Sequence, residues 1–181
     1  LLKARVGASL EKKRLRDTEE NYLERVETDK KRSQQILKTV MPTSVANELQ
    51  SSGKIRSRRY DDVAIFICDL VGFTSFCEKN DPELVVETLQ ALVEKFENTF
   101  EEFGLEKIKT VGDAIVAVAG LSSHTTSPIK SCVDCAHKIR EIANSASIPW
   151  NLHLGIHSGS LVAGTIGTKT VQFDILGKTV N

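Results

Sequence analysis

Two short apolar runs constrain the fold more than any other feature of the chain: VAIFIC at residues 63–68 and IVAVAGL at 115–121. Both are rich in β-branched residues and far shorter than the ~20 residues a membrane-spanning helix needs. Each reads as a buried strand bounded by polar turns. A chain of 181 residues can enclose such strands in a real core and still carry an appendage. The opening Leu1–Asp17 is basic and has neither an apolar h-region nor a cleavage site, so no signal peptide is expected. The expected setting is the cytoplasm, with no membrane insertion by this segment.

The elements around these runs follow from local signals. DDVAIFICDL ends in an acid and is followed by the turn GFTS. Ser75-Phe-Cys-Glu78 fits a capping box, which predicts a helix start there. Asp81-Pro82 is the stronger start signal, with Asp as N-cap and Pro at the first helical position. Val85, Leu89, Leu92, Phe96, Phe100 and Phe103 then form an apolar stripe, stopped by Gly104. LEKIKTVGDAIVAVAG reads as two strands joined by a tight turn at Val111-Gly112-Asp113. Ser127-Pro128 opens a second amphipathic helix, with Ile129, Cys132, Val133, Ala136 and Ile139 facing one way. WNLHLGIHSG alternates as a strand with Trp150, Leu152, Leu154 and Ile156 on one side, and LVAGTIG and VQFDILG supply two more strands. The order from Val63 is β-α-β-β-α-β-β-β, which predicts an α+β fold with antiparallel pairing and helices on one face.

The amino-terminal part is different. Residues 1 to about 50 read as mainly helical, with MPTSVANEL as a break and a short helix, and SSGKIRSRR as a loop. Leu15, Tyr22, Asp29 and Ile36 recur every seven residues, and Val26, Ser33 and Val40 fill the complementary positions. That is a heptad seam with two polar core slots, hence a weak coiled coil. The expected organisation is a helical linker over 1–40, a transducer segment and loop over 41–59, and a globular domain over 60–181. Net charge is zero, yet residues 1–60 carry +7 and residues 61–181 carry −7. The charges of the first 32 residues alternate in sign, which fits a solvated helix better than a nucleic-acid arm. Cys68, Cys77, Cys132 and Cys135 form no disulfide framework, and no second ligand pair completes a zinc site, so buried thiols are expected.

Two acids stand out by position. Asp69 ends the first strand, and Asp113 sits in the turn of the following hairpin. In a βαββ unit that strand lies beside the hairpin, so the two carboxylates can converge. Converging carboxylates repel unless a cation lies between them, and a divalent metal is the usual occupant. Between them, Leu70-Val71-Gly72-Phe73-Thr74 leads into a helix start whose N–H groups can face phosphate oxygens. GxxxxGK[ST] is absent, so this is no Walker A loop.

FICDLVGFTSF, IKTVGDAIVAVAG, LHLGIHSGSLVAGTIG and QFDILGKTVN, in this order and spacing, closely resemble the class III nucleotidyl cyclase catalytic domain. The resemblance covers residues from about 33 onward, with ILKTVMPTSVANELQSSG similar to the family's transducer segment. It implies a ferredoxin-like, palm-related fold. It assigns Asp69 and Asp113 to two metal ions, Mg²⁺ or Mn²⁺, and the Leu70 carbonyl to one of them. Lys109 and Asp174 match the purine-reading pair of adenylyl cyclases, and Asn181 matches the asparagine that orients the ribose. Gly72, Phe73 and Thr74 fall in the phosphate-facing turn. The implied activity is conversion of ATP to cyclic AMP in a homodimer with composite sites: metal acids from one subunit, base-reading pair and asparagine from the other.

The family's transition-state arginine follows its asparagine by four residues, and a phosphate-binding lysine comes later still. Both fall beyond Asn181, so the carboxyl end of the domain is expected to be missing here and the 181-residue chain to be inactive or weak. His153, His157 and Lys178 lie in or beside the motifs and receive no catalytic role. LLKARVGASLEKKRLRD resembles the end of a response-regulator receiver domain running into its output linker, which implies an upstream sensory domain. The competing readings are a guanylyl cyclase and an inactive cyclase-homology module that only dimerises or regulates. The GG[DE]EF signature of diguanylate cyclases is absent.

Overall fold

The computed structural model describes residues 2–122, 127–167 and 171–181, with the side chains of 2–10, 38, 40, 43 and 44 outside that description. The chain divides into two compact units, residues 1–40 and 41–181.

The first unit is one helix, α1 (Leu2–Val40). No proline interrupts it, and a Glu27–Lys31 pair one turn apart adds the small support such pairs give. Leu15, Tyr22, Leu23, Val26 and Ile36 lie exposed along it.

The second unit begins with α2 (Thr43–Ser52), which stops because Gly53 turns left-handed (φ 69°) and donates its N–H to the Leu49 carbonyl. Then follow β1 (Arg58–Leu70), α3 (Phe73–Lys79), α4 (Pro82–Glu102), β2 (Leu105–Val111), β3 (Ala114–Ala119), α5 (Pro128–Asn144), β4 (Leu152–Ile166) and β5 (Gln172–Leu176). The strands form one antiparallel sheet in the order β2-β3-β1-β4-β5. β1 is central because its Val-Ala-Ile-Phe run is apolar toward both faces, so both faces must be covered.

Alternation along β1 sorts the core in two. Ala64, Phe66, Cys68 and Leu70 point to the helix side and pack with Leu92, Phe96 and Phe100 of α4 and with Cys132, Cys135 and Ile139 of α5. The Phe66 and Phe100 rings meet edge to face, centroids 5.6 Å apart. Val63 and Ile65 point the other way, into a second cluster with Val45 of α2, Val118, Leu161, Phe173 and Ile175. The period of two therefore places Asp69 on the face away from α4 and α5.

Four local expectations change. The strand runs WNLHLGIHSG and LVAGTIG are one strand, β4, because it pairs with β1 on both sides of Ser160, Gly159 opposite Val63 and Leu161 opposite Tyr60, with a register shift between them. β1 starts at Arg58, three residues before the DDVAIFICDL run. The capping box at Ser75 does not form, since α3 starts at Phe73 with Gly72 as its left-handed N-cap (φ 81°) and Ser75 is already inside. In α5 the buried line is Cys132, Cys135, Ile139 and Ala143, whereas Ile129 and Val133 are exposed. The 3.6-residue period lets one of two adjacent apolar lines face the sheet, and the line starting from Pro128 does.

Candidate active site

Asp69 is the penultimate residue of β1, and Asp113 follows Gly112 in the two-residue turn between β2 and β3. Gly112 adopts φ 64°, the left-handed conformation that a tight hairpin requires. β3 pairs directly with β1, Cys68 opposite Ile115, so the turn arrives at the end of β1. There the Asp113 Oδ2 accepts the Leu70 N–H at 3.2 Å. Asp69 and Asp113 also share a side-chain hydrogen bond, which, with partial desolvation and the Asp113 charge, pushes the Asp69 carboxyl above the usual carboxylate range. His153, directly opposite Asp69 on β4, pulls the other way. Two carboxylates held this close repel when both are charged, and a cation relieves that repulsion. The donors at hand are hard oxygens, those of the two carboxylates. Such a set suits Mg²⁺ or Mn²⁺ rather than a thiolate-seeking metal. Among the described residues no third His, Cys, Asp or Glu completes a cluster around them.

Lys109 and Asp174 make the second constellation. Lys109 lies on β2 and Asp174 on β5, the two outer strands of the sheet. Even so, Lys109 Nζ donates to both Asp174 oxygens at 2.8 Å. The sheet is curled until its edges meet, and register shifts in β1 (between Tyr60 and Val63) and in β2 (between Lys107 and Lys109) supply local twist. Asp174 Oδ1 also accepts the Ile175 N–H at 2.8 Å, which fixes the carboxylate. One ammonium donor and one carboxylate acceptor thus stand side by side, only partly exposed.

Residues 55–181 match the family described as the adenylate and guanylate cyclase catalytic domain. The chain belongs to that family. It is 29% identical over 98% of its length to the human guanylate cyclase soluble subunit alpha-2, covering 25% of that protein. It is 31% identical to a receptor-type guanylate cyclase of Caenorhabditis elegans, over 84% of this chain and 12% of that one. The chain thus spans a quarter or less of these curated relatives. Among solved structures, the catalytic core of a rhodopsin-guanylyl cyclase with converted specificity, in complex with ATPαS, superposes with a TM-score of 0.65 and 25% identity, covering 69% of this chain and 70% of that one. This is a class III cyclase fold. Among the described residues no helix is long and apolar enough to cross a membrane.

Within this cyclase domain the remaining predicted residues fall in two places. Gly72, Phe73 and Thr74 open α3 beside the carboxylate pair, and the Phe73 ring packs on Phe76 and Trp150, anchoring the turn in the core. Asn181 follows the turn after β5 and is exposed. The four cysteines are free thiols, and burial pushes Cys68 and Cys135 up to about 12 and Cys132 to about 11. Sequence reasoning missed two residues. One is His153, whose register opposite Asp69 only the β1–β4 pairing reveals. The other is Thr179, whose buried hydroxyl carries no sequence signal.

Proposed function

We propose that this domain is an adenylyl cyclase, converting ATP to 3′,5′-cyclic AMP and pyrophosphate. The observation that carries the reading is the Lys109–Asp174 pair, a donor and an acceptor held side by side. Adenine offers an acceptor at N1 and a donor at N6, which Lys109 and Asp174 complement. Guanine offers the reverse at both positions. A buried mismatch leaves polar groups unpaired at several kcal/mol, on the order of a thousandfold in specificity.

In this reading the ribose 3′-hydroxyl releases its proton to solvent as its oxygen bonds to the α-phosphorus, while the bond from that phosphorus to the bridging oxygen of pyrophosphate breaks. Asn181 orients the ribose, and the N–H groups of Gly72, Phe73 and Thr74 face the phosphates. Asp69, the Leu70 carbonyl and Asp113 would hold divalent cations, Mg²⁺ or Mn²⁺, two per site. Bound there, the cations supply Lewis-acid charge against the phosphate oxygens and lower the pKa of the attacking hydroxyl.

The sites are composite in a homodimer, one chain giving Asp69 and Asp113, the other Lys109, Asp174 and Asn181. Residues 1–40 act as a coiled-coil linker from an upstream receiver or other sensory domain, 41–59 as transducer, and 60–181 as the catalytic part, working in the cytoplasm. A guanylyl cyclase is the second reading, favoured by the curated relatives, which carry guanylate cyclase names. Product analysis with ATP and GTP offered separately decides between them, cyclic AMP being the expected product.

A further inference from the structure

We infer that Thr179 is the positioning residue for Asn181, and that Gly159 is the gap that admits it. The inference rests on the ribose-orienting role proposed for Asn181.

The ladder between β4 and β5 stops at Val162 opposite Leu176. Beyond it the chain turns at Gly177, where a side chain would meet Leu161 Cα at 3.4 Å, and the Val180 N–H closes the turn on the Gly177 carbonyl at 3.0 Å. This turn brings Thr179 back over β4, past the last rung. There the Thr179 hydroxyl donates to the Ser160 carbonyl at 2.6 Å. A side-chain hydroxyl thus takes over a carbonyl that a longer β5 would have paired.

Two further observations show that the place is built for this residue. Among the described residues the buried polar side chains are Thr99 and Thr179. Thr99 bonds back to Lys95 within its own helix, so of these two only Thr179 ties separate segments together. A Cβ added at Gly159 would stand 2.7 Å from Thr179 Oγ1 and 3.2 Å from its Cγ2, closer than packed atoms allow. Gly159 is therefore empty where Thr179 is full. Val180 packs against the second core cluster, and Asn181 follows directly. Only Val180 separates Thr179 from Asn181, so a displaced Thr179 displaces the asparagine. Catalysis is sensitive to such shifts, since about 1 Å of misplacement can cost on the order of a hundredfold in rate.

The test measures kcat, KM for ATP and melting temperature in the full-length protein, for wild type and for Thr179→Val, Thr179→Ser, Gly159→Ala and Asn181→Ala. Valine keeps the shape of threonine and loses the donor, so Thr179→Val is expected to fold. Its kcat is expected to fall about tenfold or more with KM within about twofold, because the substrate still binds but the ribose is misplaced. Thr179→Ser restores most of kcat. Gly159→Ala, which sets a Cβ against the Thr179 side chain, is expected to lower kcat at least as far as Thr179→Val. Wild-type kcat in Thr179→Val beside an impaired Asn181→Ala would overturn the inference and leave the ribose assignment standing. A lowered melting temperature with kcat intact would also overturn it, reducing Thr179 to a structural bond. Wild-type kcat in Asn181→Ala would remove the ribose assignment, and the positioning role with it.

Discussion

Lys109 and Asp174 lie on the two opposite edge strands of a five-stranded sheet, yet Lys109 Nζ sits 2.8 Å from both carboxylate oxygens. The pair closes the curl of the sheet as well as presenting its polar groups. It therefore has two separable effects. Asp174→Asn keeps one acceptor oxygen and loses the charge. It is expected to lower stability by about 1 kcal/mol, the partly exposed pair being screened, and to raise KM for ATP severalfold. Thermal melts and steady-state kinetics on one preparation check both.

Asp69→Asn and Asp113→Asn are each expected to abolish turnover, on the order of a thousandfold or more, while leaving the protein folded. The pH dependence of stability carries the same information without substrate. Asp69 has a raised pKa through its hydrogen bond to Asp113, so its contribution is present below the ordinary carboxylate range and lost as pH rises through the raised value. Metal-free melts in wild type and Asp69→Asn should diverge across that window. Added Mg²⁺ or Mn²⁺ should raise the melting temperature of wild type above it and leave Asp69→Asn unmoved.

That carboxylate pair was legible early, and the reason is physical. A strand ending in Asp and a hairpin turn containing Asp are local features, and neighbouring strands bring local features together. The Lys109–Asp174 pair was not legible from pattern, because it depends on how far the sheet curls, and only the resemblance singled those residues out. Ser158-Gly159-Ser160 misled for a related reason. Its glycine looks like a turn, but pairing with β1 and the approach of Thr179 are tertiary facts. The helix face of α5 was ambiguous because two apolar lines run side by side, and only the packing on Ala64 and Phe66 chooses Cys132 and Cys135.

The buried thiols give a prediction about reactivity. Burial pushes Cys68 and Cys135 up to about 12 and Cys132 to about 11, so all three remain protonated at pH 8. The part-exposed Cys77 is expected to alkylate first, at least about a hundredfold faster than the others, as peptide mapping after brief iodoacetamide treatment would show. The thiols' contribution to stability is present below their ordinary value of 9.0 and lost as pH rises through 11 to 12.

Composite sites predict complementation. Asp69→Ala and Lys109→Ala cyclases are each expected to be inactive alone. Mixed and allowed to exchange subunits, half the dimers are heterodimers with one intact site of two, giving about a quarter of wild-type activity. No recovery despite demonstrated exchange would place each site within one chain.

Adenine reading by Lys109 and Asp174 is measured by the ratio of kcat/KM for ATP to that for GTP. ATP is expected to be preferred by on the order of a thousandfold, from two hydrogen bonds made with adenine and left unpaired with guanine. Lys109→Glu with Asp174→Cys is expected to collapse that ratio. A wild-type enzyme that turns over GTP as well as ATP, or better, would rule out adenine reading by this pair.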